Sequence, residues 1–288
     1  MMGKRLDVRK THKLFIGGRF PRSESGRTFR WEAPDRAATA NICRASRKDF
    51  RDAVTEARGA SASWAGRTAY NRAQILYRCA EILEGRRAQF REELRAQGTS
   101  AAAARKEVTD AIDLLIYYAG WADKYGQLFS RVNPVAAPYF NFTVLEATGV
   151  VAVVAPSESG LLGLLAALAP VITGGNTCVA LAAQDYPLCA VSLAETLHTA
   201  DLPAGVVNLL TGFRAELLEP FATHMDVNAL VYFGDDRAEI AQAESCAAEN
   251  VKRVTVCGRA EWEGTPALNP YAILRTQETK TTWHPIRF

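Results

Sequence analysis

No G-x-G-x-x-G follows any apolar run in this 288-residue chain, and no G-x-x-x-x-G-K-[ST] occurs in it. Two widespread phosphate-cradling loops are therefore excluded. The six cysteines (Cys43, Cys79, Cys178, Cys189, Cys246 and Cys257) are scattered, with no C-x-x-C among them. That excludes the usual zinc spacings and gives no sign of a disulfide framework, so buried thiols are expected and no metal site is. Long apolar runs are missing too. The most apolar stretch, Leu161 to Ile172, has 12 residues, whereas a membrane span needs about 20. It reads as a buried helix, and no membrane association is expected. Met1 to Lys13 is basic but contains no apolar stretch of the roughly 7–15 residues that a secretory signal carries. A cytoplasmic location is the expectation.

What is present is an ordinary globular composition: 48% apolar, 23% charged, 9% aromatic, net charge +3. A wholly disordered or collagen-like chain is ruled out. The charge is unevenly spread. Residues 1–130 hold 25 Lys+Arg against 15 Asp+Glu, and residues 131–288 hold 9 against 16. Such a split can serve nucleic acid or partner choice. The arginines fall mostly on the solvent faces of helices, without interleaved aromatics or any nucleic-acid motif. Nucleic-acid binding is therefore not expected.

Periodicity divides the chain. Leu14 to Arg27 carries two short apolar runs around Gly17-Gly18, a hairpin signal. Ser46 is placed to cap a helix with Asp49 at N3, and Phe50, Val54, Ala57 and Ala60 share one face. Thr68 caps a longer helix ending near Gly98, with Ile75, Leu76, Cys79, Ile82, Leu83, Phe90 and Leu94 inward. A third helix, about Ser100 to Tyr125, buries Val108, Ile112, Leu115, Ile116 and Ala119. An extended stretch, Arg131 to Leu145, follows. Gly149 to Ala155 is then a short continuous apolar run, as in a strand buried on both faces. Further strands are expected at Thr177 to Ala182, Val206 to Leu210, Val227 to Phe233 and Arg253 to Cys257. Between them, helices are expected at Leu161 to Val171, Pro187 to Ala200, Ala215 to Thr223 and Asp236 to Glu249. Five strands alternating with four helices predict an α/β, doubly wound, Rossmann-like parallel sheet behind an N-terminal helical layer. Such sheets bind ligands at the carboxyl ends of their strands.

In their order, LFIGGRFPRSESGRTF, DFRDAVTEARGASASWAGRTAYNRAQILYRCAEIL, TGVVAVVAP, LAPVITGGNTCVAL, LPAGVVNLLTG and VNALVYFGDD resemble the aldehyde dehydrogenase superfamily over residues 13–258. In that family a cysteine thiolate attacks an aldehyde, hydride passes to NAD(P), and a glutamate-activated water releases the acid. The resemblance implies where this chemistry would sit. Pro156, Ser157 and Glu158 stand where the family has P-W-N, whose asparagine steadies the oxyanion. An ionised Glu158 only accepts hydrogen bonds and would repel that charge. Loss of one oxyanion donor alone costs about 3–4 kcal/mol of barrier. Leu181 to Gln184 replaces K-P-S-E, so the lysine that meets the adenosine ribose becomes Leu181. Gly212 closes the third strand's LLTG. Phe233, Gly234 and Asp235 stand at F-T-G-S, where a helix N-terminus approaches the pyrophosphate. Asp235 would bring like charge there, but suits a helix N-cap. Cys257 stands where the general-base glutamate belongs and reads as a buried thiol without a base partner. The family's nucleophilic cysteine lies further on, and the 30 residues after Gly258 contain none.

The resemblance is to the degenerate, shortened second domain of the two-domain family 16 proteins. It implies a division into a hairpin and helical layer (1–130), an extended oligomerisation arm (131–147), the Rossmann-like sheet (148–258) and a tail (259–288) that continues the arm. In the tail, Ala272 to Arg275 and Thr279 to Trp283 are expected strands. The alternation in Tyr139 to Leu145 suits strand addition. The leading expectation is a non-catalytic pseudo-aldehyde dehydrogenase with no catalytic residue and no required cofactor. It would assemble with itself or with a catalytic aldehyde dehydrogenase. A diverged NAD(P)-dependent enzyme, an NAD(P)-binding regulator and a chain without a selected role remain the alternatives.

Overall fold

A computed structural model describes residues 10–35, 38–264 and 267–286; the basic opening stretch, 1–9, lies outside the described residues. The chain opens with β1 (Thr11–His12), β2 (Thr28–Glu32) and β3 (Thr39–Cys43), a small sheet ordered β1-β3-β2. Between β1 and β2, Ile16 and Arg19 exchange two 3.0 Å backbone hydrogen bonds around Gly17-Gly18. Both glycines have positive φ, +57° and +73°. That backbone is open to glycine and strained for other residues.

The helical layer is α1 (Arg47–Ala65), α2 (Ala69–Gly85), α3 (Arg87–Ala96), α4 (Ala101–Trp121) and α5 (Tyr125–Phe129). Ser46 and Asp49 form a reciprocal capping box at the start of α1, and Thr68 caps α2. The expected single helix from Thr68 to Gly98 is broken at Arg86. Gly85 is a poor helix former. The Arg86 guanidinium is also drawn away, to the Ser192 carbonyl, the Thr196 hydroxyl and Glu195. The third helix likewise stops at Trp121 and resumes as the short α5. Ile116, expected inside, is 44% exposed, while Tyr118 is buried. The inward stripe of α4 runs Val108, Ala111, Leu115, Tyr118, and Ile116 sits one residue off it.

After β4 (Arg131–Asn133) and β5 (Tyr139–Ala147) comes the main sheet, built from β6 (Val150–Val154), β7 (Thr177–Leu181), β8 (Val207–Leu210), β9 (Ala229–Phe233) and β10 (Arg253–Cys257). Its order is β10-β9-β6-β7-β8 and every pairing is parallel. The crossover helices are α6 (Leu162–Thr173), α7 (Leu188–Thr199), α8 (Arg214–Thr223) and α9 (Arg237–Ala248). This is the doubly wound α/β fold read from the strand–helix alternation.

Alternate residues of β6 feed two cores. Val151 and Val153 face a core with α2, α4, α6 and α7. Val150, Ala152 and Val154 face a core with α1, α8 and α9. A strand covered on both faces needs no polar alternation, which is why VVAVV is apolar throughout.

The tail contains α10 (Tyr271–Leu274) and β11 (Gln277–Pro285). The strand expected at Ala272 to Arg275 is instead this one-turn helix. Pro270 stands at its N-cap, the Asn269 side chain accepts from the Tyr271 N–H at 3.0 Å, and Ile273 is buried in the larger core. β11 pairs antiparallel with β5 from Gln277↔Ala147 to Pro285↔Tyr139, giving a third sheet ordered β11-β5-β4.

Candidate functional site

In the main sheet the strand order reverses between β6 and β9. A doubly wound sheet opens its ligand crevice there, at the carboxyl ends. The sequence-derived positions gather along this edge. Pro156 is buried, Ser157 half-buried and Glu158 exposed, directly after β6. Leu181 is buried in the core beneath α1 and α8, and Gln184 is exposed beyond β7. Gly212 is buried after β8, where an added Cβ would meet the Ala45 nitrogen at 3.4 Å. Phe233 is buried, Gly234 half-buried and Asp235 exposed after β9.

Asp235 is not the cap of α9. Asp236 is, its carboxylate accepting from the N–H groups of Ala238 (2.8 Å) and Glu239 (3.1 Å). A cap must accept two and three residues ahead from extended backbone, and Asp236 has that backbone.

The N-termini of α6 and α7 on this edge are also satisfied from within. At α6, Glu107 of α4 accepts from Ser159 Oγ (2.7 Å), Leu161 N (3.0 Å) and Leu162 N (3.2 Å). Ser159 Oγ in turn accepts from Gly163 N at 2.7 Å. A carboxylate thus occupies the electropositive end that follows the first strand. At α7, the Gln97 side-chain oxygen accepts from Leu188 N at 2.9 Å. At α8, Glu216 in the first turn pairs with Arg44.

The crevice itself is bridged by Arg214. Its guanidinium donates to the carbonyl oxygens of Ala155, just past β6, and of Phe233, the last residue of β9 (3.2 Å). It lies 3.7 Å from a Glu239 carboxylate oxygen and 5.5 Å from the centre of the Tyr232 ring. Tyr232 Oη donates to Glu239 at 2.5 Å. Burial, and the acceptor Glu239 beside it, push the Tyr232 phenol well above its ordinary range. The Arg214 side chain is only 17% exposed.

Cys257 ends β10 and is fully buried. Arg275 from the tail donates to its Sγ at 3.2 Å and pairs with Glu261. Burial pushes the thiol up to about 11, against the pull of Arg275. A protonated, enclosed thiol makes a poor nucleophile. Among the described residues, no group of three or more His, Cys, Asp or Glu could hold a metal ion.

These groups do not suit a dinucleotide pyrophosphate. Glu107 holds one helix N-terminus, Asp235 and Asp236 make another acidic, Leu181 offers no donor, and Arg214 is held by two backbone carbonyls at one terminal nitrogen and lies beside Glu239 at the other. Sequence reading missed Arg214, Glu107 and Gln97. Arg214 carried a faint signal, a cation two residues after Gly212 at a strand's carboxyl end. Glu107 carried none, because it lies 54 residues from the nitrogen it serves.

A model of the aldehyde dehydrogenase family matches residues 21–259. Cytosolic aldehyde dehydrogenase 1 of Elephantulus edwardii is 31% identical over 252 residues, covering 85% of this chain and 49% of that protein. The putative aldehyde dehydrogenase DhaS of Bacillus subtilis is 31% identical, covering 88% and 52%. The NAD+ complex of an aldehyde dehydrogenase from Bacillus cereus superposes with a TM-score of 0.80 at 28% identity, covering 86% of this chain and 51% of that one. The chain spans about half the length of the curated relatives it matches.

Proposed function

The chain belongs to the aldehyde dehydrogenase family, and on that premise we propose that it is a non-catalytic member, a structural or regulatory subunit that assembles with itself or with a catalytic aldehyde dehydrogenase. One observation carries the reading: Arg214 bridges the crevice between β6 and β9, bound to backbone carbonyls on both sides. Glu158 at the oxyanion position and the enclosed Cys257 point the same way. Support for assembly comes from the third sheet, where Tyr139 and Trp283 are exposed on one face and Phe140 and Val144 on the other, Trp283 to 57%. Apolar side chains exposed on both faces of a three-stranded sheet favour a protein partner. The proposed setting is the cytoplasm, with no membrane or nucleic-acid partner. No helix among the described residues is long and apolar enough to cross a membrane.

The test is thermal melting of the purified chain with and without millimolar NAD+ or NADP+, paired with an aldehyde-dependent reduction assay. Ligand that binds only the folded state must raise Tm by mass action. The expected result is an unchanged Tm and no NAD(P)H. A saturable rise with turnover would replace this reading with a diverged dehydrogenase; a rise alone would make the chain an NAD(P)-binding regulator. That alternative draws its support from the Bacillus cereus relative with NAD+ bound. Light scattering tests assembly. A strict monomer that ignores a co-expressed catalytic relative would remove the partner role.

A further inference from the structure

Away from the crevice, the first turn of α1 faces the last turn of α8 across an open groove of about 380 Å3. Arg47, Lys48 and Arg51 bound one side, and Pro220, Thr223 and His224 the other. All three cations are exposed. Two of them have one exposed carboxylate partner each. Glu24 lies 3.5 Å from Lys48 and is shared with the Ser46 hydroxyl. Asp52 is 3.9 Å from Arg51. Among the described residues Arg47 makes no ion pair, and no carboxylate lines the groove.

The opposite wall would ordinarily oppose an anion, because a helix ends there with free carbonyls. Here Lys252 removes that obstacle. Its Nζ donates to the carbonyls of Phe221 (3.1 Å), Ala222 (2.6 Å) and His224 (3.0 Å). His224 adds a donor. Its Nδ1 accepts from Asp226 N–H at 3.2 Å, so in the neutral ring the proton sits on Nε2. The imidazole is held edge-on by Phe50 (centroids 5.6 Å, 86°), which itself stacks on Phe221 at 4.3 Å. Burial depresses the proton affinity of His224, and Lys252 and Arg51 depress it further against the pull of Asp226.

We propose that this groove binds the phosphate group of a small phosphate ester, with Arg47, Lys48 and Arg51 supplying charge and His224 a neutral donor. Two forked guanidinium groups and an ammonium within five residues match a tetrahedral dianion better than a single carboxylate. The groove spans one helical turn, and Phe50 on its lining is buried against Phe221, so it offers no platform for successive bases. It shares no residue with the Arg214 crevice and does not depend on the non-catalytic reading.

The experiment follows the His224 ring signals of the full chain by NMR while inorganic phosphate, then pyrophosphate, is added at constant ionic strength against sodium chloride. Saturable displacement is expected, with a rise in the His224 pKa as the anion binds. Arg47→Ala with Arg51→Ala should weaken binding by about tenfold or more, what the loss of a charge-assisted hydrogen bond costs. His224→Gln, which keeps a donor, should bind more strongly than His224→Ala. Two results would overturn the proposal: shifts no larger than those in matched chloride, or equal affinity in the double variant with its circular dichroism unchanged.

Discussion

The carboxyl edge of the main sheet and the groove between α1 and α8 are both concave and polar, yet they use charge differently. Along the edge, Glu107, Gln97, Asp236 and Arg214 each satisfy a backbone group of the chain itself. In the groove, Arg47, Lys48 and Arg51 face water. A polar group bound to the fold's own backbone adds stability and is withdrawn from ligands. A cation left in solvent contributes little to the fold and remains available. The place where the fold ordinarily binds is therefore the more structural of the two. This contrast can be broken by substitutions that should cost stability at one site and not at the other.

Glu107→Ala should have the largest effect. It strips the acceptor from the Ser159 hydroxyl and from two backbone N–H groups at the start of α6. A loss of about 2–3 kcal/mol is expected, measured by urea denaturation. Glu107→Gln keeps an acceptor oxygen and should recover about half. If Glu107→Ala is neutral, the α6 N-terminus is not held by the carboxylate and is open to anions after all.

Arg214→Ala comes next, at about 1–2 kcal/mol, because two strand-end carbonyls and Glu239 lose one shared donor. Arg214→Lys should recover part of the loss, since a single guanidinium nitrogen meets both carbonyls and an ammonium can donate to two acceptors, while the planar contact with the Tyr232 ring is lost. The same variants sharpen the contrast through NAD+ titration. If removal of Arg214 leaves stability unchanged and lets the dinucleotide raise Tm, the arginine is a gate and not a strut.

How far each region could be read from sequence follows the same division. The parallel sheet was legible because strands covered on both faces must be apolar throughout, as VVAVV is. Ser46 and Asp49 were legible because a capping box is local. That Glu158 and Leu181 stand at the carboxyl ends of β6 and β7 was legible through the resemblance. The break at Arg86 was not, since its partners lie about a hundred residues on, in α7. Glu107 was hidden for the same reason. The groove was hidden because Phe50, His224 and Lys252 meet only through the packing of α1 against α8. Confusing Asp235 with Asp236 is a different failure: composition marks a cap to within a residue, and backbone conformation decides which one.

In the groove, Arg47→Ala and Arg51→Ala should each change stability by no more than about 0.5 kcal/mol, as exposed substitutions usually do. Urea denaturation checks this directly. A larger cost would mean that these side chains serve the fold, and the contrast between the two regions would collapse.

The smallest effect is a pH dependence. Burial above all, against the nearby Asp226 and with smaller help from Lys252 and Arg51, lowers the His224 pKa from its ordinary 6.5. Burial and Lys10 likewise lower that of His12, against Glu195. A folded-state pKa below the unfolded one means that the unfolded chain binds more protons as pH falls through 6.5. Stability contributed by the neutral imidazoles is thus present above that value and declines below it. His224→Gln, which cannot titrate, should flatten part of the decline, and His12→Gln a separate part. Pyrophosphate should flatten only the His224 portion, because an anion in the groove favours the protonated imidazole there. If pyrophosphate acted equally on the His224→Gln variant, the anion would be bound elsewhere, and the groove would be a solvated basic face like the other cation-bearing helix surfaces of residues 1–130.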